Sequence, residues 1–532
     1  MSEWWRSGTI YQIYPRSFAD ANGDGIGDLA GIMERLDHLA GTETSLGVDA
    51  FWISPIFPSP LADFGYDVSD YLDVDPVFGD LATFDRLVAE SHRRGLRVLL
   101  DLVPCHTSVE HPWFRASRSS DRDPKREWYH WADPAPDGGP PNNWLSIFGG
   151  SAWELDEASG QYYLHSFYPE QPDLNWRNPA VADAFGDVLR FWRRRGVDGF
   201  RIDAIDRAMK DPLLRDNPPA AGVFVPRLPE RMQHELRLWN KDRPEVLDVV
   251  RALRRAAASA GVDDPLLIGE SYIPIERMAR YLGDRPGDAF DLVFDFDFLF
   301  AGWDAPRLRA SIESAEALMP EHGWPCRVLS NHDVSRHASR FGADAIRAAA
   351  VLLMTLRGTP VLYMGEEIGM SDAPPTAFDR SGRDVSRSPM QWDASPSGGF
   401  TTGTPWLACG ETRACNVADQ VVDPASTLAL YRRLIALRHA SPAIGVGAQR
   451  QIDLPRDLAA VAFVRSSGEE RRVVVVNVGA ERLELDLRAA SRGRLPGAST
   501  LVLGTDPVRP AGEPVSLERT VVAPFEALVL DV

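Results

Sequence analysis

Three acidic residues close short apolar runs: Asp203 in Gly199-Phe-Arg-Ile-Asp-Ala204, Glu270 in Ile268-Gly-Glu270, and Asp333 in Ser330-Asn-His-Asp333. A fourth acid opens Asp101-Leu-Val-Pro-Cys-His106. One Asp at a strand end is an ordinary cap or ion-pair partner. Acids at three such ends, with Arg201, His106 and His332 beside them, ask for a common task. Carboxylates gathered in one pocket repel one another, so the task must involve positive charge: a bound metal or a cation formed in a reaction. A metal centre wants acids and histidines together at short range. Here the two histidines lie in separate segments, and Arg201 stands two residues before Asp203, on the same face of an extended strand. A guanidinium there keeps Asp203 ionised and competes with a metal. The pattern suits cleavage of a glycosidic bond. One ionised carboxylate attacks, one protonated carboxyl gives its proton to the leaving oxygen, and positive charge develops on the sugar.

Such residues need a frame that brings distant segments together. Short β-rich runs at Ile10–Tyr14, Ala50–Ile53, Arg97–Val103, Gly199–Ile202, Leu266–Gly269, Leu292–Phe294, Arg327–Leu329 and Pro360–Tyr363 alternate with amphipathic stretches. The latter include Ile32–Ala40, Thr83–Arg94, Ala180–Arg195, Val246–Ala260, Ala305–Leu318, Ala343–Leu356 and Ser426–His439. Eight strand–helix alternations predict an α/β chain folded as a closed (β/α)8 TIM barrel, whose chemistry sits at the C-terminal ends of the strands. A doubly wound sheet is the rival, but Asp24-Gly-Ile-Gly-Asp28 lacks the GxGxxG spacing. The segment His106–Arg177, rich in Trp, Pro, Gly and Asn, is too long for a structureless connection and reads as a small domain inserted after strand three. Beyond about Ser441 the pattern becomes all β, at Ala459–Arg465, Arg472–Val478, Arg482–Leu487, Thr500–Leu503 and Thr520–Asp531, which predicts an antiparallel C-terminal β-sandwich. The domain plan is a catalytic barrel over 1–105 and 178–445, an inserted domain over 106–177 and a C-terminal domain over 446–532. A second, Pro-rich insertion, Met209–Arg243, reads as a loop or lid.

Composition narrows the partners. The 532 residues carry 57 Lys+Arg against 76 Asp+Glu, a formal net charge of −19. That excludes a broad basic face for nucleic acid and a polybasic membrane contact. The 15 Trp and 12 Tyr suit sugar rings, although most aromatics fill cores. The four cysteines, Cys105, Cys326, Cys409 and Cys415, form no CxxC pair, which argues against zinc and fits a reducing compartment. Cys409 and Cys415 read as free thiols. The N-terminus, Met-Ser-Glu-Trp-Trp-Arg, lacks the basic and apolar regions of a secretory signal, and no run of about 18 apolar residues occurs, so a cytoplasmic location is expected.

These motifs together resemble the four signature regions of the α-amylase family of glycoside hydrolases, family 13. The resemblance spans essentially the whole chain and includes Gly358-Thr-Pro-Val-Leu-Tyr-Met-Gly-Glu-Glu367. Gln171-Pro-Asp-Leu-Asn175 is similar to the α-glucosidase and oligo-1,6-glucosidase branch. Ala62-Asp-Phe-Gly-Tyr-Asp67 and Trp324-Pro-Cys-Arg-Val-Leu-Ser-Asn-His-Asp333 resemble bacterial α-glucosidases with strong glucosyl transfer. The resemblance implies that Asp203 is the nucleophile, Glu270 the general acid/base and Asp333 the transition-state stabiliser. It implies that Tyr66, Asp101, His106, Phe167, Arg201 and His332 shape the glucose site, and that Asp63 and Arg387 close its non-reducing end in exo-acting members. It implies a retaining exo-α-glucosidase acting on maltose, maltooligosaccharides, and sucrose or alcohol acceptors, without an organic cofactor, as a monomer or homodimer. Ala204, next to the nucleophile, implies a preference for α-1,4 over α-1,6 linkages, since relatives with the α-1,6 preference carry Val there.

Cys105 departs from the family, where Asn commonly precedes the first His and helps bind calcium at the insertion. Cys is a poor calcium ligand, so that ion is not expected. The loop Asp20-Ala-Asn-Gly-Asp24-Gly-Ile26-Gly-Asp28 is a separate candidate. Asp20, Asn22, Asp24, Ile26 and Asp28 alternate as in an oxygen-rich site, and the branch often holds a structural Ca²⁺ there, with Mg²⁺ the other option. Two other readings use the same scaffold. A sucrose isomerase, trehalose synthase or oligo-1,6-glucosidase would keep the three acids. A non-catalytic relative, such as a transporter subunit, would lose them and gain a membrane anchor.

Overall fold

The computed structural model describes residues 3–219, 237–260, 264–376 and 380–532. Eight parallel strands form a closed barrel: β1 (Ile10–Ile13), β2 (Ala50–Ile53), β3 (Arg97–Leu102), β4 (Gly199–Ile202), β5 (Leu266–Gly269), β6 (Leu292–Phe294), β7 (Pro325–Arg327) and β8 (Thr359–Tyr363). They follow one another around the barrel in sequence order, and β8 returns to β1 with Ile10 opposite Val361. These strands are almost wholly buried, so they read as continuous apolar runs rather than alternating ones.

The chain divides into two compact units. One comprises Trp52–Ala89 and Val98–Phe294. Within it β3 pairs with β4 (Asp101 opposite Arg201), and β4 pairs with β5 (Ile202 opposite Gly269). Gly199 is required at the start of β4, because a Cβ there would lie 2.3 Å from the Leu266 carbonyl oxygen. Asn178 caps the helix Pro179–Arg194 by accepting from Ala180 N, with Pro179 in the first turn. A three-stranded antiparallel sheet (Trp131–Ala132, Gln161–Leu164 and Trp153–Asp156) lies in the segment read as an insertion. The loop-or-lid reading of 209–243 falls in part on residues 220–236, which lie outside the described residues. Its described flanks are tied together, since Asn217 Oδ1 accepts from the amides of Leu238 and Trp239, both at 3.0 Å.

The other unit comprises Met1–Phe51, Glu90–Arg97 and Asp295–Val532. Its helix Thr427–Ala440 is capped by Ser426, and Ala305–Leu318 by Asp304. The C-terminal part forms a six-stranded antiparallel sheet in the order 448–451, 460–467, 470–477, 527–531, 498–504 and 514–516. A two-stranded sheet pairs 483–485 with 520–522. Val473, Val475, Leu528 and Leu530 pack into its core.

Several boundaries differ from the sequence reading. Strand seven is Pro325–Arg327 rather than 327–329, so the Ser330–Asp333 motif lies in the loop beyond it. The predicted helix 32–40 is two short helices, Leu29–Glu34 and Leu36–Leu39, broken at Arg35. The predicted strand 520–531 is two strands, Thr520–Val522 and Ala527–Asp531. Ala448–Gln451 and Pro514–Ser516 were not expected as strands.

Candidate active site

In the unit formed by 52–89 and 98–294, the ends of three strands, β3, β4 and β5, deliver one charged cluster. Arg201, its side chain 3% exposed, lies on β4 and points the same way as Asp203, one residue past the strand. Its Nη1 donates to Asp203 Oδ1 at 2.6 Å and to Asp101 Oδ1 at 2.8 Å, and its Nη2 stands 3.5 Å from Glu270 Oε2. One guanidinium therefore faces three carboxyl groups. They cannot all be ionised in a buried site without large cost.

Burial, reinforced by the Asp203 charge, pushes Glu270 up to about 8 and Asp101 up to about 7, with Arg201 pulling both down. Hydrogen bonds decide which one holds the proton. Asp101 accepts from Arg201, from Trp52 Nε1 at 3.2 Å and from the Tyr66 hydroxyl at 3.0 Å, three donors that favour its charge. Glu270 accepts from one backbone amide, that of Ala204, at 2.9 Å. Glu270, with fewer donors to stabilise its charge, is thus the carboxyl that burial favours in the protonated form, beside an Asp203 paired with Arg201.

The turn after β4 makes this link. Ala204 takes a left-handed conformation (φ 44°, ψ 34°), and Ile205 N donates to the Glu270 carbonyl at 3.2 Å. Around the cluster, His106 Nε2 donates to the Tyr66 carbonyl at 2.9 Å, and the Phe167 ring lies 5.0 Å from the His106 ring. Gln171 donates to Asp63 Oδ2 at 3.2 Å. The sequence reading uses Gln171 only as a branch marker and misses Trp52.

In the other unit, the loop after β7 carries His332 and Asp333. Asp333 Oδ1 accepts from Arg387 Nη2 and from Arg383 Nη1, each at 2.9 Å. Arg387 Nε also donates to the His332 carbonyl at 2.8 Å. Gln12 Nε2 on β1 donates to His332 Nδ1 at 2.8 Å, which leaves the ring proton on Nε2, 3.5 Å from Asp333 Oδ2. Tyr14 stacks on His332 at 6.0 Å. Arg383 and Gln12 were missed by sequence reasoning. Arg383 could have been found, because it stands four residues before Arg387 and shares its short helical turn (Asp384–Arg387) as the N-cap.

The 20–28 loop holds its oxygens with backbone amides. Asp20 Oδ1 accepts from Asn22 N and Gly23 N, and Asp20 Oδ2 accepts from Gly25 N and the Thr401 hydroxyl. Asn22 and Asp24 each accept from the amide two residues on. Asp28 accepts from Ala21 N and caps the helix Leu29–Glu34 through Gly31 N. Gly25 must lack a side chain, since a Cβ would come within 1.9 Å of the Thr404 carbonyl oxygen. Among the described residues no group of three or more His, Cys, Asp or Glu side chains is placed to hold a metal ion. A cation here would therefore draw on Asn22 and main-chain carbonyls such as that of Ile26. Such an all-oxygen set suits a hard cation, and an amide-bonded carboxylate oxygen keeps a lone pair for it.

Comparison with known proteins agrees with this geometry. The α-amylase catalytic-domain model matches residues 12–447. The chain is 44% identical over 521 residues to a Rhizobium meliloti protein named "Probable alpha-glucosidase", covering 91% of each chain. It is 36% identical to an oligo-1,6-glucosidase of Heyndrickxia coagulans, covering 91% of this chain and 94% of the other. The solved structure of an alpha-glucosyl transfer enzyme superposes with a TM-score of 0.90 at 38% identity, over 100% of both chains. Among the described residues, no helix is long and apolar enough to cross a membrane.

Proposed function

Because the chain belongs to the α-amylase catalytic-domain family, we propose that it is a retaining exo-α-glucosidase that releases or transfers glucose from the non-reducing end of short α-1,4-glucosides such as maltose. The observation that carries this reading is the Arg201–Asp203 pair at 2.6 Å, with Arg201 Nη2 3.5 Å from a buried Glu270 whose pKa burial raises. Arg201 keeps Asp203 ionised, so its carboxylate attacks the anomeric carbon while Glu270 protonates the departing oxygen. Glu270, now ionised, then takes a proton from water or from a sugar hydroxyl. That oxygen displaces Asp203 and leaves the α configuration unchanged. Asp333 takes the third role, stabilising positive charge on the sugar, and Asp63 and Arg387 close the site to longer chains at the non-reducing end. Tyr66, Asp101, His106, Phe167 and His332 shape the glucose site.

The relatives named as oligo-1,6-glucosidase and glucosyl transfer enzyme define the alternatives in linkage and acceptor. The 20–28 loop is proposed as a structural calcium site, and the protein as cytoplasmic. Asp203→Asn tests the mechanism. The variant is expected to fold and bind sugar but to lose turnover by several orders of magnitude. Near-wild-type turnover would remove the nucleophile assignment. Proton NMR of wild-type product should show the α-anomer of glucose first, and β-glucose appearing first would exclude retention. Identification of every product from maltose, isomaltose, sucrose and trehalose separates hydrolysis from isomerisation.

A further inference from the structure

We infer that Cys105 is a positioning residue for the acid/base group, acting through the main chain of Ala204. Cys105 is fully buried, and its Sγ lies 3.0 Å from the Ala204 carbonyl oxygen and 3.9 Å from that of Asp203. Burial holds the thiol protonated, so it donates S–H to the carbonyl. The peptide on the other side of Ala204 presents its N–H to Glu270 Oε2 at 2.9 Å. Ala204 is therefore a left-handed residue gripped at both ends: its carbonyl by Cys105 and its amide by Glu270. A non-glycine residue at φ 44° persists only where its surroundings fix it. The thiol supplies that restraint from the loop after β3, 99 residues away in sequence.

The main chain of Cys105 is held independently of its side chain, because Leu174 N donates to the Cys105 carbonyl at 2.9 Å. Exchange of the side chain is thus separable from the path of the loop. The carboxyl of Glu270 faces Arg201 and the charges of Asp203 and Asp206, and Lys241 Nζ in turn lies 3.3 Å from Asp206 Oδ2. None of these groups changes on substitution of Cys105. What changes is how firmly the Ala204 amide meets Glu270. That amide stabilises the ionised carboxylate, so loosening it raises the Glu270 pKa. It also leaves the carboxyl less well placed for proton transfer.

This inference rests on the reading of Glu270 as the acid/base, and the experiment separates the two. Cys105→Ala removes the donor, and Cys105→Ser restores a hydroxyl donor of similar size. In Cys105→Ala, kcat is expected to fall by about 3-fold, the worth of a weak S–H···O bond. KM should stay within two-fold, and the alkaline limb of kcat/KM should move to higher pH. Cys105→Ser should recover both kcat and the limb. A Cys105→Ala profile that superimposes on the wild type overturns the inference. So does a loss of kcat with an unmoved limb, or a Cys105→Ser variant no better than Cys105→Ala, since packing alone would give either result. Glu270→Gln is assayed in parallel with an aryl glucoside carrying a good leaving group, with and without azide. Rescue by azide upholds the acid/base reading whatever Cys105 does, and absence of rescue removes that reading itself.

Discussion

At the scale of single residues, the proton on Glu270 has a consequence for stability. Its pKa in the folded protein, about 8, lies above the ordinary 4.5, so the folded chain binds a proton that the unfolded chain releases. Stability from this group is complete below about pH 4.5 and is lost as pH rises through about 8. Glu270→Gln keeps an acceptor for the Ala204 amide but cannot ionise. Its melting temperature should match the wild type near pH 4.5 and exceed it by a margin that grows up to pH 8. A constant margin in differential scanning calorimetry across that range would contradict the raised pKa. Ala204 supplies a second test. Val is β-branched and strained at φ 44°, a cost of about 1–3 kcal/mol that acts on any substrate through the Glu270 contact. Ala204→Val should therefore slow both maltose and isomaltose. If Ala204 also selects linkage, maltose turnover should fall further than isomaltose turnover. Ala204→Gly, free at positive φ, should preserve the wild-type ratio. Equal slowing of the two substrates by Val would leave only the backbone effect.

At the scale of elements, burial and pairing part company. Val328 and Leu329 are buried and look like strand, yet the β7 ladder ends at Arg327, opposite Pro360. Pro360 has no N–H to give, and Arg327 is carried inside by an ion pair with Asp295. An apolar run registers burial and not pairing, so buried Val328 and Leu329 carry the predicted strand past the end of the ladder. The 20–28 loop gives the prediction at this scale. If it holds calcium, the folded state should gain about 2.7 kcal/mol when the free ion stands about 100-fold above its Kd. Thermal melts in calcium should then exceed those in chelator, and Asp20→Ala should abolish the difference. Identical melts of the wild type in both buffers would show that the loop's own amide bonds suffice.

At the scale of the whole molecule, the net charge of −19 has no part in recognising an uncharged glucoside. Raising ionic strength from about 10 to about 200 mM screens long-range fields and should change kcat/KM on maltose by less than about two-fold. A phosphorylated glucoside would instead be repelled at low salt and turned over better as salt rises. A larger change with maltose would show that the protein's charge does act on the site.

The amino-acid sequence alone marked Asp203, Glu270 and Asp333 as the candidate acids, and determined the eight strand segments within two residues at each end and the family. These properties depend on residue type and on periodicity over a few residues, and both can be read locally. Only the tertiary structure decided the protonation of Glu270, the left-handed turn at Ala204, the tie from Cys105, and the convergence of Arg383 with Arg387 on Asp333. Protonation depends on desolvation and on charges brought close in space. Arg201 meets Asp101 across 100 residues of chain, and Ala204 meets Glu270 across 66. No local pattern encodes those distances, because they arise when strands β3, β4 and β5 come into register.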